Sequence, residues 1–208
     1  MTRTATPFSA PPLQMPRMLP KQGVRKFTVR EYHKLIDDGF FATDEKFELI
    51  EGWIVAKMPR NPPHDLAIDK STDAIRERLP ARWRVRAQLA ITLSDSEPEP
   101  DLAIVLNPAD RYGDHHPGPS EIGMLVESSC STLSFDRADK ARVYAMAGIP
   151  IYWILNVVDH QVEVYTEPSG VDANPGYRVQ EIFSVDDVVP LFIAGNKIAD
   201  IPVRELIP

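Results

Sequence analysis

The chain has 208 residues, room for one domain of ordinary size, and 43% of them are hydrophobic, which argues against wholesale disorder. No apolar run approaches the roughly 20 residues of a membrane-spanning helix, and the N-terminus lacks the apolar segment of a signal peptide. A single cysteine, Cys130, excludes an internal disulfide and a cysteine-rich zinc site. We therefore expect a cytoplasmic protein with no membrane partner.

Charge is distributed unevenly along the chain. The net charge is −7, yet residues 1–30 contain six basic side chains and no acid. The remainder therefore combines 17 basic with 30 acidic side chains, a balance of −13. Such an acidic body is poorly suited to broad electrostatic capture of nucleic acid, unless metal ions or a local basic patch offset the acids.

Proline content separates an N-terminal arm from the rest of the chain. Five of the 20 prolines lie within the first 20 residues, where apolar periodicity is absent. We expect residues 1–24 to form a flexible basic arm, either an unstructured leader or a segment that contacts phosphates. Residues 25–208 then form a single domain, with a core over about 27–166 and a C-terminal extension over 167–208.

Capping and turn residues mark the predicted elements. Thr28 and Glu31 form a capping box at a helix start, and Asp136 is placed as the N-cap of a later helix. Glu51-Gly52 is typical of a two-residue hairpin turn. In chain order we predict a helix to about 38, strands at 47–50 and 53–56, a helix over 64–79, strands at 83–87, 90–93, 102–106 and 122–126, a helix over 136–147, strands at 151–157 and 161–165, and one or two short strands within 176–207.

Two continuous apolar runs, 102–106 and 122–126, are typical of central strands covered on both faces. Helices alternate with strands along the chain. The sequence therefore predicts an α/β or α+β protein, with a mixed central sheet flanked by helices and preceded by an N-terminal helix and a hairpin.

Two carboxylates stand at the ends of these buried runs. Asp101 precedes the first and Glu127 follows the second. If the runs pair antiparallel about a turn near Asp114, paired residues have numbers that sum to 228, so Asp101 lies opposite Glu127. Two buried acids repel each other, so that either one pKa rises or a cation such as Mg²⁺ sits between them. Alternatively, both acids cap strand ends in solvent.

Two further side chains are candidates for the same site. Lys140 shares a helix face with Asp136 and Tyr144, and the short connection from Glu127 should bring that helix back near the strand end. The lysine could orient a water or stabilise developing charge, or it could form an ordinary surface pair with Asp136. Glu48 faces either a pocket or a half-exposed edge.

Other constellations are weaker. Asp114-His115-His116 lies among glycine and proline and is typical of a solvated loop, and His64 is expected only to begin a helix. The sequence contains no G-x-S-x-G elbow and no phosphate-binding glycine motif.

Several short motifs together resemble the Uma-type restriction endonuclease family of the PD-(D/E)XK nuclease superfamily. The resemblance covers about residues 27–166 and rests on 47–52 (FELIEG), 100–105 (PDLAIV), 125–129 (LVESS), 131–133 (STL), Asp136-Arg137, Lys140, Tyr144, 148–150 (GIP) and 152–154 (YWI). It implies a restriction-endonuclease-like core that binds one or two Mg²⁺ ions, with Mn²⁺ as a substitute, and hydrolyses phosphodiester bonds.

The resemblance also implies roles for individual residues. Asp101 and Glu127 correspond to the metal-binding acids, joined by the backbone carbonyl of Ser128, and Glu48 completes the site. The superfamily places a lysine two residues after the second acid, where this chain has Ser129. The resemblance to the Uma-type family implies that the amine lies on the next helix instead, which makes Lys140 the substitute for the missing strand lysine.

The leading hypothesis is a Mg²⁺-dependent endonuclease that acts on DNA, with a homodimer expected on family grounds alone. A catalytically inactive binding or assembly module with the same fold is the alternative, favoured by the acidic body and by Ser129. A glycosidase with Asp101 and Glu127 as paired carboxylates is a third hypothesis, and it requires one acid to be protonated.

Overall fold

A computed structural model describes residues 24–41 and 46–208. The predicted arm, apart from its last residue, lies outside this part of the chain. The helices and strands are α1 (Val29–Asp37), β1 (Phe47–Ile50), β2 (Trp53–Ala56), α2 (Pro62–Arg76), β3 (Trp83–Ala87), β4 (Leu102–Leu106), β5 (Ile122–Ser129), α3 (Leu133–Phe135), a π-helical segment (Asp136–Lys140), α4 (Ala141–Met146), β6 (Ile151–Asn156), β7 (Gln161–Pro168), β8 (Tyr177–Ser184), β9 (Val188–Ile193) and β10 (Asn196–Pro202).

The centre of the fold is a six-stranded sheet in the order β3-β4-β5-β6-β7-β8. All neighbours are antiparallel except β5 and β6, which are parallel because the segment from α3 to α4 crosses between them. On one face of the sheet, α2 and the β9–β10 hairpin pack to form one hydrophobic core. On the other face, α4 and Ile50 of the β1–β2 hairpin pack to form a second. The predicted mixed sheet with flanking helices is confirmed.

The register between β4 and β5 agrees with the prediction. Leu102 pairs with Val126, Ala103 with Leu125 and Ile104 with Met124, and each pair sums to 228. The register shifts only beyond Ile104, at the end remote from Asp101. Asp101 and Glu127 therefore stand side by side at the ends of two fully buried strands.

Three predicted elements were wrong in detail. Residues 90–93 form no strand, because the backbone amides of Ile91 and Leu93 bond to their own loop, at Pro98 and Ser96, instead of to a neighbouring strand. The chain after 176 forms three strands rather than one or two. The later helix begins at Leu133, so Asp136 is not its N-cap but a buried residue that accepts a hydrogen bond from Thr132 Oγ1 at 2.6 Å.

An ion pair between a partly exposed arginine and a buried glutamate anchors the π-helical segment to the sheet. Glu163 on β7 is fully buried, and Arg137 donates to both of its carboxylate oxygens, from Nε at 2.9 Å and from a terminal nitrogen. Asn156 and Tyr165 also donate to Glu163 at 2.9 Å. Burial works to raise the pKa of Glu163, but these hydrogen bonds hold it below the usual value.

Removing this anchor should destabilise the fold. We expect Arg137→Gln to lose roughly 2–3 kcal/mol of unfolding free energy at pH 7, because Glu163 stays buried without its charged partner. Since the folded-state pKa of Glu163 lies below its unfolded value of 4.5, its stabilisation is present above that pH and is lost as pH falls through the folded value. Urea unfolding should therefore show a smaller difference in unfolding free energy between wild type and Arg137→Gln in acid than at pH 7.

Arg76→Gln is the matched control for this experiment. Arg76 pairs with Asp73 on the surface of α2, where an ion pair contributes no more than about 0.5 kcal/mol. Equal losses in the two variants would contradict an anchoring role for Arg137.

No helix in the described ranges is long and apolar enough to cross a membrane.

Candidate active site

A cavity of about 350 Å³ opens where β4 begins and β5 ends. The β1–β2 hairpin, the start of α2 and the π-helical segment form its walls. The residues that the sequence predicts for the site all line it: Glu48, Asp101, Glu127, Ser128 and Lys140. The fold thus brings together side chains from four separate parts of the chain.

Hydrogen bonds across the two paired strands hold both acids: Asp101 contacts the backbone of Ser128, and Glu127 contacts the backbone of Asp101. The Ser128 amide donates to Asp101 Oδ2 at 2.9 Å, and the Asp101 amide lies 3.4 Å from Glu127 Oε2. The two residues are only 9% and 4% exposed, so the possibility that they cap strand ends in solvent is ruled out. Both residues instead line the cavity.

Lys140 reaches this pair of acids from the π-helical segment. Its Nζ donates to Glu127 Oε1 at 2.8 Å and lies 3.8 Å from Glu48 Oε1. The surface-pair alternative with Asp136 is wrong, because both residues are buried. A π-helical turn within an α-helix shifts the following side chains around the axis and is common at functional sites.

Tyr144 and Glu48 complete the surroundings of the ammonium group. Tyr144 on α4 donates from its hydroxyl to Glu127 Oε1 at 2.7 Å. Glu48 on β1 is buried and accepts a hydrogen bond from the Glu99 amide at 3.2 Å. The pocket orientation of Glu48, rather than the half-exposed edge, is therefore the one that the structure shows.

His64 is a site residue that sequence reasoning missed. It lies in the first turn of α2, where Asn61 caps the helix, and its Nε2 is 3.2 Å from Asp101 Oδ2. The local sequence marks only a helix start. The contact exists because α2 begins directly over the ends of β4 and β5, which the residues around His64 do not encode.

The electrostatics of the two acids differ. Burial raises the pKa of Glu127 to about 8, with Asp101 adding to the rise and Lys140 opposing it. Burial acts in the same direction on Asp101, but the hydrogen bond and charge of His64, aided by Lys140, hold its pKa below the usual value. Burial alone would lower the pKa of Lys140, yet Glu127, Glu48 and Asp136 raise it, so this side chain remains an ammonium.

The donor set fits a hard divalent cation. Asp101 Oδ1 has no hydrogen-bond partner among residues 24–41 and 46–208, and Glu127 Oε2 has only the 3.4 Å contact from the Asp101 amide. One oxygen of each carboxylate therefore remains for a ligand. The described residues contain no group of three or more His, Cys, Asp or Glu side chains placed to enclose a metal. Mg²⁺ suits such a partial site, since it retains water and takes phosphate oxygens.

Sheet, cavity and acid–lysine cluster together define an α+β protein with an acid-lined cavity at one end of its central sheet. The chain belongs to the Uma2 family, described as "Putative restriction endonuclease", which it matches over residues 29–199. Its fold is similar to that of a protein described as a putative nuclease belonging to DUF820 from Anabaena variabilis ATCC 29413, with a TM-score of 0.61 and 18% identity, over 86% of this chain and 97% of that one. No curated protein matches the chain. Family membership supports a nuclease function.

The raised pKa of Glu127 makes the stability of the metal-free protein depend on pH. A carboxyl whose folded pKa of about 8 exceeds its unfolded value of 4.5 stabilises the fold at low pH, and this contribution declines between those values. The unfolding free energy of wild type, measured in EDTA, should therefore fall relative to that of Glu127→Gln as pH rises from about 5 to 8. Parallel pH curves for the two proteins would show that the Glu127 pKa is not raised.

Proposed function

We propose that this protein is a Mg²⁺-dependent endonuclease that hydrolyses phosphodiester bonds of DNA. The observation that carries the proposal is the convergence of Asp101 and Glu127 on one cavity, with the Lys140 ammonium 2.8 Å from Glu127. Family membership supports the reaction class, and the unengaged carboxylate oxygens support the metal. A single cavity acts on one strand, so that cleavage of both strands would require two copies; the homodimer stays a prediction.

Each residue has a distinct part in this proposal. Asp101, Glu127 and the backbone carbonyl of Ser128 would hold Mg²⁺, which supplies Lewis-acid polarisation of the phosphate. Lys140 is an ammonium rather than a base, because the surrounding acids keep it protonated. It therefore stabilises the negative charge that develops on the phosphoryl oxygens.

Three other side chains orient this machinery. Glu48 Oε1 lies 3.8 Å from the Lys140 ammonium and orients it through the attraction between the two charges. Tyr144 and His64 fix the rotamers of Glu127 and Asp101, which leaves the remaining oxygen of each acid aimed at the cavity.

An inactive binding module remains the second candidate, and one observation favours it. Ser129 occupies the position where the superfamily has its lysine, and it is fully buried. If Lys140 serves only to neutralise Glu127, the fold keeps its buried acids without catalysing hydrolysis. Metal binding and cleavage must therefore be tested separately.

The first test is cleavage of plasmid DNA with and without Mg²⁺. Asp101→Asn and Glu127→Gln should each lower the cleavage rate by roughly 1000-fold or more, because metal and phosphate lose a ligand. Asp73→Asn, which changes an exposed carboxylate on α2, is the matched control and should cleave like wild type. Cleavage that survives either site substitution, or that survives EDTA, would refute the proposal.

The second test separates Lys140 from the metal ligands. In Lys140→Met we expect the cleavage rate to fall by about 100-fold or more, while millimolar Mg²⁺ still raises the melting temperature. In Asp101→Asn both the cleavage and the Mg²⁺-dependent shift should disappear. A wild-type protein whose melting temperature ignores Mg²⁺ and Mn²⁺, and which cleaves nothing, would be the inactive module.

A further inference from the structure

Three arginines form a row on one face of the edge strand β3 and on the residue before it. Trp83 and Val85 pack against the core on the α2 side of the sheet. Because side chains alternate along a strand, Arg84 and Arg86 project from the opposite face, and Arg82 continues the alternation. The row (Arg82, Arg84 and Arg86) spans roughly 13 Å at about 3.3 Å per residue.

The arginine row has no acidic partner within the described part of the chain. Arg111, Arg137 and Arg142 each form an ion pair with a glutamate, but no carboxylate of residues 24–41 or 46–208 lies within 4.0 Å of any arginine of the row. The Nε atoms of Arg84 and Arg86 are buried and have no hydrogen-bond partner there. Burial and the charge of Arg84 lower the pKa of Arg86. Arg84 and Arg86 are thus neighbouring positive charges without an acidic partner among the described residues, in a protein whose net charge is −7.

Two side chains of the row, those of Arg84 and Arg86, are partly held in place by their surroundings. The Arg86 guanidinium lies 5.0 Å from the ring centroid of Tyr112, whose hydroxyl donates to the Leu106 carbonyl at 2.9 Å. Arg84 and Arg86 are half-buried along their stems. Fixing the stems lowers the entropy that a guanidinium loses when it binds an anion.

The row leads to the cavity. Beyond Ala87, the Gln88 amide donates to the Asp101 carbonyl at 3.0 Å, so that the strand ends beside the first acid of the site. Arg60 donates to the Gln88 side chain and lines the cavity, whereas Lys57 in the same lining is paired with Glu99 at 2.8 Å. Gln88 and Arg60 therefore connect the arginine row to the cavity opening.

We propose that the arginine row binds the sugar–phosphate backbone of the DNA strand whose scissile phosphate enters the cavity, an inference that rests on the proposed function. Each successive phosphate of a DNA strand carries one negative charge, so the three guanidinium groups of the row can contact neighbouring phosphates of a single strand. Guanidinium groups bind phosphate oxygens through paired hydrogen bonds. A local row of this kind allows an acidic protein to hold a polyanion.

The test is a salt titration of DNA binding by the full chain in EDTA, followed by fluorescence anisotropy of a labelled duplex. Arg84→Gln/Arg86→Gln should weaken binding by about tenfold or more and reduce the slope of log K against log salt by about 2, since each lost phosphate contact removes about 0.9. Arg178→Gln is the matched control, because Arg178 is exposed on β8, the opposite edge strand. It should leave affinity and slope unchanged.

Hydrolysis of bis(p-nitrophenyl) phosphate with Mg²⁺ separates the row from the proposed function. This small diester does not reach the row, so the double variant should hydrolyse it within about twofold of wild type. Absence of hydrolysis in wild type, with the binding loss intact, would refute the endonuclease and leave the row as a DNA-binding surface.

Two outcomes would overturn the inference. One is an unchanged salt slope in Arg84→Gln/Arg86→Gln or, if that variant does not fold, in Arg82→Gln, whose side chain is exposed. The other is a variant that keeps its DNA affinity but loses binding to phosphatidylserine vesicles, because the row would then serve a membrane surface.

Discussion

The pairing of β4 with β5 is the constraint on which the site depends. Both strands are buried on two faces, and alternate side chains pack into two different cores. A slip of one residue would therefore move each apolar side chain into the opposite core, where the packing does not fit it. The register that the core requires is also the one that places Asp101 beside Glu127. The hydrophobic core therefore fixes the separation of the two acids, and it holds them together despite their mutual repulsion.

Lys140 offsets the electrostatic cost of this arrangement. A buried carboxylate pair is unfavourable unless a cation lies near it, and the ammonium fills that place from the π-helical segment. The segment is itself fixed from its other side, where Arg137 binds the buried Glu163 on β7. In the proposed site, Lys140 on this anchored segment takes the part of the strand lysine that the resemblance would place at Ser129.

Local pattern was sufficient to predict much of the fold and most of the candidate site. Capping at Thr28, the Glu51-Gly52 turn and the two apolar runs all act over a few residues, and the structure confirms them. The approach of Lys140 followed from the short link between β5 and the next helix. The roles of these residues in catalysis stay predictions.

Features that depend on distant packing could not be predicted in this way. His64 meets Asp101 only because α2 starts above the strand ends, and no pattern around His64 reports that contact. The π-helical segment reflects the burial of Asp136 and Lys140, whereas helical periodicity alone predicts a regular turn. Residues 90–93 alternate like a strand, but their amides bond within their own loop.

The decisive experiment is a crystal structure of the protein soaked in Mn²⁺, recorded at the manganese absorption edge. We expect an anomalous peak in contact with both Asp101 and Glu127, within reach of the Ser128 carbonyl, with the Lys140 ammonium still beside the acids. Two results at saturating Mn²⁺ would contradict a metal-dependent site in this cavity. One is the absence of a peak between the two carboxylates, and the other is a peak found only elsewhere on the acidic surface.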